Sequence, residues 1–239
     1  MVKILITGSS TGLGALAAMD LLAQHNDVVL HARNQERAEA ALKRNPMASG
    51  VLIGDLSKLS DIRSIAQQAN QIDSFDVVIH NAGVNSSNSM LTSTVNIMAP
   101  YMLTGLMNRP KRLIYVSSGM HRGASLDIEN LESTVDYSGS KLALLMLMKY
   151  VSNRWTNTIV NAVDPGWVPT RMGGSAANDD LKQGYSSQVW LATGNDSQAL
   201  KTGNYYYHKS LSRYDQRVDN QSLQRELIQK LETLTDVKF

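Results

Sequence analysis

A tyrosine and a lysine stand four residues apart at the start of a strongly helical stretch, Tyr137 to Val151, with the sequence YSGSKLALLMLMKYV. On a helix, residues at i and i+4 lie one above the other, which places Lys141 one turn from Tyr137. A phenol with a pKa of about 10 is a poor acid or base at neutral pH unless a nearby cation favours its phenolate form. The spacing therefore favours proton transfer at an oxygen. The alternative is a buried tyrosine beside a surface lysine.

A serine hydroxyl could supply the second hydrogen bond that such an oxygen needs when charge develops on it. The apolar run from Arg112 to Ser117 predicts a strand, and Ser118 follows directly. Register favours Ser118 over Ser117, because Ser118 lies further out at the carboxyl end. Asn96 is a further candidate within a predicted helix over residues 90–107, where an amide is costly unless it has partners. It could equally be a satisfied amide of the core.

Three glycines, Gly8, Gly12 and Gly14, stand between a nearly continuous apolar run and apolar residues at helical spacing. The run from Val2 to Ile6 predicts a strand buried on both faces, and the residues after Gly14 predict an amphipathic helix. Glycine allows a sharp turn and a close backbone approach, and a helix N-terminus attracts anions. The turn, with Thr7 before it, therefore predicts a pyrophosphate site of a nucleotide. A glycine-rich loop without a ligand is the alternative.

The residues after the second predicted strand, Asp27 to Ala32, bear on the choice of cofactor. An acidic residue at this point would bind the ribose hydroxyls of NAD, whereas an arginine can pair with the 2′-phosphate of NADP. Alanine ends the strand, and Arg33 and Asn34 follow. NADP(H) is therefore favoured over NAD(H), with Ser9 and Ser10 of the glycine turn as hydroxyl donors to the same phosphate. The alternative for Arg33 is a solvated side chain at a helix start.

Two further strand ends carry residues suited to a ligand. The predicted strand from Gly50 to Leu56 contains Asp55 near its end, which could cap the next helix or accept the adenine amino group. The strand from Asp76 to His80 is followed by Asn81-Ala82-Gly83, and small residues at such a position suggest close backbone approach to a ligand.

Composition limits the class of function. The 239 residues include 23 basic and 21 acidic side chains, so there is no electrostatic case for nucleic acid as a partner. The chain has no cysteine, which excludes disulfides and thiolate metal sites, and no metal site is predicted. With a strand beginning at residue 2 and no apolar run of about 18 residues, we expect no signal peptide and no membrane insertion, and a cytoplasmic protein.

Predicted strands and helices alternate along the whole chain. Strand patterns also cover Thr158 to Val163 and Gly203 to His208, and helical patterns cover 179–192 and 220–234. Alternation without a repeat or linker predicts a single α/β domain over residues 1–239, with a doubly wound parallel sheet and helices on both faces. Residues from about 171 to 185 show little periodicity and are interpreted as a lid or substrate segment.

The chain resembles the short-chain dehydrogenase/reductase family, classical type. The resemblance rests on Thr7-Gly8-x-x-x-Gly12-x-Gly14, Asp55, Asn81-Ala82-Gly83, Asn96, Ser118, Tyr137-x-x-x-Lys141 and Pro165-Gly166. The gap from Ser118 to Tyr137 is longer than is common in the family, and its sequence is similar to the retinol-dehydrogenase-like and carbonyl-reductase-like branches. The resemblance implies a Rossmann-like sheet of about seven strands, an NAD(P) cofactor, and a catalytic set of Ser118, Tyr137, Lys141 and Asn96.

The same resemblance implies roles for single residues. Asn96 would hold a water that relays protons to Lys141, which would also bind the nicotinamide ribose. Val168 and Thr170 would face the carboxamide. The expected cofactor-binding residues are Thr7, Gly8, Ser9, Ser10, Gly12, Leu13, Gly14, Arg33, Asn34, Asp55, Leu56, Asn81, Ala82, Gly83, Tyr137, Lys141, Pro165, Gly166, Val168 and Thr170.

We therefore expect an NADP(H)-dependent reductase or dehydrogenase that acts on a small-molecule ketone, aldehyde or alcohol. A non-catalytic dinucleotide sensor is the main alternative, although it need not keep the four catalytic residues. A sugar-nucleotide epimerase is disfavoured by the glycine spacing. The helix at Tyr137 is apolar all round, which suggests a homodimer or homotetramer unless the connection at residues 120–136 covers its outer face.

Overall fold

A single sheet forms the centre of the molecule. The computed structural model describes residues 1–72 and 74–238, and among these the sheet has eight strands in the order β3-β2-β1-β4-β5-β6-β7-β8. The strands are β1 (Lys3–Ile6), β2 (Asp27–Ala32), β3 (Gly50–Ile53), β4 (Val77–His80), β5 (Arg112–Val116), β6 (Ile159–Asp164), β7 (Tyr205–Tyr207) and β8 (Ser210–Leu211). All neighbouring pairs are parallel except β7 with β8. The doubly wound α/β sheet expected from the sequence is confirmed.

The eighth strand was not expected. The chain turns back after β7 through His208 and Lys209, both of which have positive φ angles, and Ser210–Leu211 then pairs antiparallel with β7. A strand of two exposed residues has no apolar alternation by which its sequence could be recognised. It forms the edge of the sheet, next to β7.

Helices cover both faces of the sheet. They are α1 (Gly12–Ala23), α2 (Gln35–Arg44), α3 (Leu59–Ile72), α4 (Ser89–Ser93), α5 (Ala99–Leu106), α6 (Leu131–Thr134), α7 (Tyr137–Ser152), α8 (Leu181–Thr193) and α9 (Gln221–Thr235). Successive strand residues point to opposite faces, so that Leu5 packs with α3, α5 and α7, whereas Ile4 and Ile6 pack with α1 and α8. No helix of the described residues is long and apolar enough to cross a membrane.

The order of the strands determines where a ligand can bind. The strand after β1 in the chain lies on one side of it, and β4 lies on the other, so the winding direction reverses at β1. Sheets of this kind bind ligands in the crevice outside the carboxyl ends of the strands at such a reversal. The glycine turn follows β1 directly and therefore lies in this crevice.

The helix predicted over residues 90–107 is interrupted. A π-helical turn, Thr94–Met98, joins α4 to α5 and contains Asn96 at its centre. Single π-helical turns inserted into α-helices occur frequently at functional sites. Sequence periodicity alone does not distinguish such a turn from a continuous helix.

The apolar helix α7 is buried within one chain. None of its residues is exposed, and α9 packs along it through side chains that include Leu227 and Leu231. Lys230 of α9 also donates to the carbonyl of Glu129 and pairs with Glu132, which joins α9 to the 120–136 connection. The all-round apolar pattern thus gives no reason for a second subunit, and the homodimer or homotetramer stays a prediction.

Candidate active site

The glycine turn after β1 is shaped for a close backbone approach. Gly8 and Gly12 have φ angles of +66° and +61°, and a Cβ on Gly8 would lie 2.9 Å from the Cα of Ala82. A Cβ on Gly14 would overlap the Asn81 side chain. Thr11 precedes α1 without a side-chain cap, so the side chains leave the N–H groups of the first turn free for an anion. This cradle fits the pyrophosphate of a dinucleotide.

Thr7 and Asn81 connect the ends of β1 and β4. The Thr7 hydroxyl accepts hydrogen bonds from the backbone N–H groups of Asn81 and Ala82, each at 3.1 Å. The Asn81 amide donates in return to the carbonyl of Thr7 at 3.0 Å. These two side chains therefore hold the turn in shape through contacts within the protein.

His31 is a residue of the cradle that the sequence analysis missed. The N–H of Gly8 donates to its Nδ1 at 2.9 Å, so the ring carries its proton on Nε2, which lies 3.0 Å from the carbonyl of Gly54. Burial lowers the pKa of His31 to about 4. The hydroxyl of Ser9 is also buried; it donates to the carbonyl of Ile6 and accepts from the backbone of His31. The sequence signal that could have identified His31 is a histidine near the carboxyl end of β2, after the apolar residues Val28, Val29 and Leu30.

The residues expected at the adenosine end have different partners. Arg33 is exposed, while the Asn34 side chain caps α2 by accepting from the N–H of Arg37 at 3.0 Å. The Asp55 carboxylate accepts from the N–H and hydroxyl of Ser57. Burial alone would raise the pKa of Asp55, but these hydrogen bonds outweigh it and the pKa is lowered.

One contact at the adenosine end was not anticipated. The guanidinium of Arg44, at the end of α2, donates to the carbonyl of Ser10. A second cation is thereby held against the glycine turn. Leu56, also expected here, is buried beside Thr7 and Ala82.

Tyr137 opens α7, where Asp136 caps the helix by accepting from the N–H of Gly139 at 2.7 Å. Burial raises the pKa of the Tyr137 phenol, whereas a hydrogen bond from the Ser118 side chain opposes that rise. Lys141 Nζ lies 5.5 Å from the centre of the Tyr137 ring. The structure therefore brings Ser118, Tyr137 and Lys141 together.

The surroundings of Lys141 are almost dry. The side chain is 3% exposed and donates to the carbonyl of Val116 at 2.9 Å. Burial lowers the pKa of Lys141 to about 8. The neighbouring Ser117 is buried as well, and its hydroxyl donates to the carbonyl of Lys141 at 3.2 Å. Ser117 thus faces the inside of the fold, while Ser118 faces the crevice.

Asn96 has its amide fully engaged. The side chain accepts from the N–H of Val84 at 2.8 Å and donates to the carbonyl of Val84 and the hydroxyl of Ser140, both at 2.9 Å. A Cβ on Gly83 would lie 3.3 Å from Lys141 Nζ and 3.5 Å from Asn96 Oδ1, so both groups flank this glycine. The side-chain amide holds the loop after β4 in place.

A cavity of about 600 Å³ connects the glycine turn with the tyrosine. Seven of the expected site residues line it: Leu13, Ser118, Tyr137, Pro165, Gly166, Val168 and Thr170. Met172, Gly173 and Asp179 add one wall from the 171–185 segment. Arg122 and Asp164 also line the cavity, and the sequence analysis assigned them no role.

Comparisons with known proteins identify the family and the fold of the chain. The family model described as short chain dehydrogenase matches residues 2–181. The chain is 36% identical to the short-chain dehydrogenase chyC of Penicillium rubens over 100% of this chain and 99% of that protein. An uncharacterized protein from Mycobacterium paratuberculosis has the same fold, with a TM-score of 0.81 at 23% identity over 100% of this chain and 95% of that one.

A further solved structure contains a cofactor. The NADP active-site complex of Pseudomonas aeruginosa RhlG covers 87% of this chain and 96% of its own, at 21% identity and a TM-score of 0.73. The match of the family model over residues 2–181 and the identity to chyC decide the assignment. The chain belongs to the short-chain dehydrogenase family and is an oxidoreductase that acts on CH–OH or C=O groups with NAD(P).

Proposed function

We propose that the protein transfers hydride between NADP(H) and a ketone, aldehyde or alcohol. The observation that carries the proposal is that Ser118 and Tyr137 line one cavity, which extends to Leu13 of the glycine turn. A carbonyl oxygen between these two hydroxyls would lie beside the nicotinamide end of a dinucleotide held by that turn. When bound, the dihydronicotinamide supplies the hydride.

The side chains divide the remaining work. Ser118 holds the carbonyl oxygen, and Tyr137 gives it a proton as negative charge develops there. Lys141 carries positive charge below pH 8 or so, given its pKa of about 8, and thereby favours the phenolate that remains on Tyr137. Asn96 acts indirectly in this proposal: it holds the loop that contains Gly83 next to Lys141.

The preference for NADP(H) is supported by the residues at the carboxyl end of β2. Ala32 ends the strand, and the exposed guanidinium of Arg33 follows it without an ion pair among residues 1–72 and 74–238. Arg44 adds a second positive charge at Ser10. RhlG, a protein of the same fold, is seen with NADP.

Residues 171–185 are proposed as the substrate lid. The segment is held to the loop before it, because Trp167 donates through its indole to the carbonyl of Gly173 at 2.9 Å and through its backbone to Asp179 at 2.6 Å. With Met172 it forms a wall of the cavity. Its closure over a bound substrate would exclude water from Tyr137.

The test is a panel of ketones, aldehydes and alcohols followed by nicotinamide absorbance with both cofactors. We expect turnover with NADPH and loss of that turnover in Tyr137→Phe. The competing function, a non-catalytic dinucleotide sensor, predicts tight cofactor binding without turnover across the whole panel, equal in the native chain and the variant.

A further inference from the structure

A carboxylate and a guanidinium face each other in the cavity, and the proposed reaction uses neither. A Cβ on Gly119 would lie 2.9 Å from Asp164 Oδ2 and 3.2 Å from Arg122 Nη1, so these two atoms are no more than about 6 Å apart. The ion pairs within 4.0 Å among the described residues do not include this pair. A gap bounded by opposite charges, here called the polar gap, therefore lies at Gly119, directly after Ser118.

Asp164 is held at one side of the polar gap. Its Oδ1 accepts from the N–H of Gly166 at 2.9 Å, and its Oδ2 accepts from the phenol of Tyr205 at 2.9 Å. The residue is 6% exposed, so little water reaches the carboxylate. Oδ2 has a second lone pair that can accept from a ligand.

Arg122 is held at the other side. Its Nε and Nη2 donate to the carbonyl of Arg213 at 3.2 and 2.8 Å, and Nη2 also donates to the hydroxyl of Ser212 at 3.1 Å. Nη1 has no hydrogen-bond acceptor in the part of the chain that the structure describes. Two anchored nitrogens and one open one make a donor whose direction is set before a ligand arrives.

We propose that the polar gap binds a hydroxyl group of the substrate, an inference that rests on the proposed function. A hydroxyl accepts and donates, so it can accept from Arg122 Nη1 and donate to Asp164 Oδ2. Two hydrogen bonds of about 2.8 Å through one oxygen span a gap of this width. A carboxylate only accepts, and it would face Asp164 and Asp179, which both line the cavity.

The position of the polar gap defines the substrate class. Consecutive Cα atoms lie about 3.8 Å apart, so the hydroxyl is bound next to the carbonyl that Ser118 holds. This favours a hydroxyl on the first or second carbon from the carbonyl. Met120, Trp167 and Met172 line the same cavity with 56%, 53% and 49% of their surfaces exposed, which suits an apolar remainder. The substrate is a hydroxy ketone or hydroxy aldehyde with an apolar group.

The reaction leaves that hydroxyl unchanged. The carbonyl carbon gains a hydride from NADPH, its oxygen gains a proton from Tyr137, and the products are a vicinal or 1,3-diol and NADP⁺. In the opposite direction the same site oxidises one hydroxyl of such a diol.

The test compares two ketones that differ by one hydroxyl, 2-hydroxyacetophenone and acetophenone, in NADPH-dependent reduction. We expect kcat/KM to favour the hydroxy ketone by about 10- to 150-fold, the size of one charge-assisted hydrogen bond. Arg122→Met should bring the ratio close to one. Arg213→Met is the matched control, because Arg213 is exposed and only its carbonyl contacts Arg122; the ratio should persist.

Two analogues separate the halves of the polar gap. The methyl ether 2-methoxyacetophenone can accept from Arg122 but cannot donate to Asp164, so it should lose most of the advantage. Phenylglyoxylate has a carboxylate in place of the hydroxymethyl group and should be the poorest of the four. A preference for phenylglyoxylate, or a ratio that Arg122→Met leaves unchanged, overturns the proposal.

Failure of the proposed function gives a different result. If none of the four ketones is reduced, their binding to the protein loaded with NADP⁺ is measured by calorimetry. Tighter binding of the hydroxy ketone that Arg122→Met abolishes supports the polar gap as a binding site without the reaction. Equal affinity for 2-hydroxyacetophenone and acetophenone overturns it.

Discussion

The cofactor side and the substrate side of the crevice differ in how their polar groups are used. On the cofactor side, Thr7, Asn81 and His31 bond to backbone groups of neighbouring strands and loops. On the substrate side, Arg122 keeps an open nitrogen, and apolar side chains such as Trp167 stay exposed at the cavity. On the cofactor side the polar groups are already bonded within the protein, which is typical of a preformed binding site. On the substrate side, polar and apolar groups remain open to contact a substrate.

The largest expected effect separates catalysis from binding. Tyr137→Phe keeps the ring and its packing but removes the proton donor, so turnover should fall by about 10² to 10⁴. Fluorescence titration with NADPH should show unchanged cofactor affinity. Near-full activity in steady-state assays would make the tyrosine structural and contradict its role as the proton donor.

Substitution of the two serines after β5 tests which of them contacts the substrate. Ser118→Ala should reduce turnover by about 10² to 10³, since it removes a donor to the developing charge. Ser117→Ala should cost far less turnover, because its hydroxyl bonds only the carbonyl of Lys141 inside the fold. Steady-state kinetics compare the two. If Ser117→Ala is the more damaging variant, the assignment is off by one residue.

Arg33 tests whether the cradle is specific for NADP(H). Arg33→Ala should weaken NADPH binding by about 10- to 150-fold, since a charge-assisted contact to phosphate is lost, and leave NADH affinity almost unchanged. Calorimetry with both cofactors measures this. Lys43→Ala, which removes an exposed cation of the following helix α2, is the control. Equal affinity of the native chain for both cofactors contradicts the assignment.

Lys141→Met tests whether the lysine both lowers the pKa of Tyr137 and binds the cofactor. Without the cation the pKa of Tyr137 rises further, so less phenolate is present to accept the alcohol proton. Alcohol oxidation should lose about tenfold in rate near neutral pH for each unit of that rise, with the pH profile moved to higher values. Cofactor binding should weaken as well. Profiles of kcat from pH 6 to 10 give the result, and a profile that does not move excludes this role.

The smallest effect concerns the stability of the cradle. The pKa of buried His31 is about 4, against about 6.5 for an exposed histidine, so the unfolded chain binds more protons between these values. Its contribution, up to about 3 kcal/mol, is complete above pH 6.5 and is lost as pH falls towards 4. His80, whose pKa burial lowers to about 3, acts in the same direction.

Urea unfolding at several pH values measures this slope. His31→Gln should reduce the pH dependence by about 1.4 kcal/mol per unit between pH 6 and 4.5. His25→Asn, at an exposed position with positive φ that asparagine tolerates, should leave it unchanged. An unchanged slope in His31→Gln means that the ring takes up a proton in the folded state.

Much of the site is encoded over short distances along the chain. The strand from Lys3 to Ile6, the glycines after it and the Tyr137–Lys141 pair are local patterns, because backbone conformation and helix periodicity act over a few residues. The family, the sheet and the use of NAD(P) could therefore be predicted from the sequence.

Tertiary structure decided what depends on residues far apart. His31 meets Gly8 and Gly54 across three strand ends, α9 covers α7 from the far end of the chain, and Arg122 and Asp164 face each other across Gly119. None of these contacts produces a periodic pattern in the sequence, since each arises from packing between distant segments. The sequence by itself determined most of the elements and the family, and only the folded chain decided which polar groups remain open to a substrate.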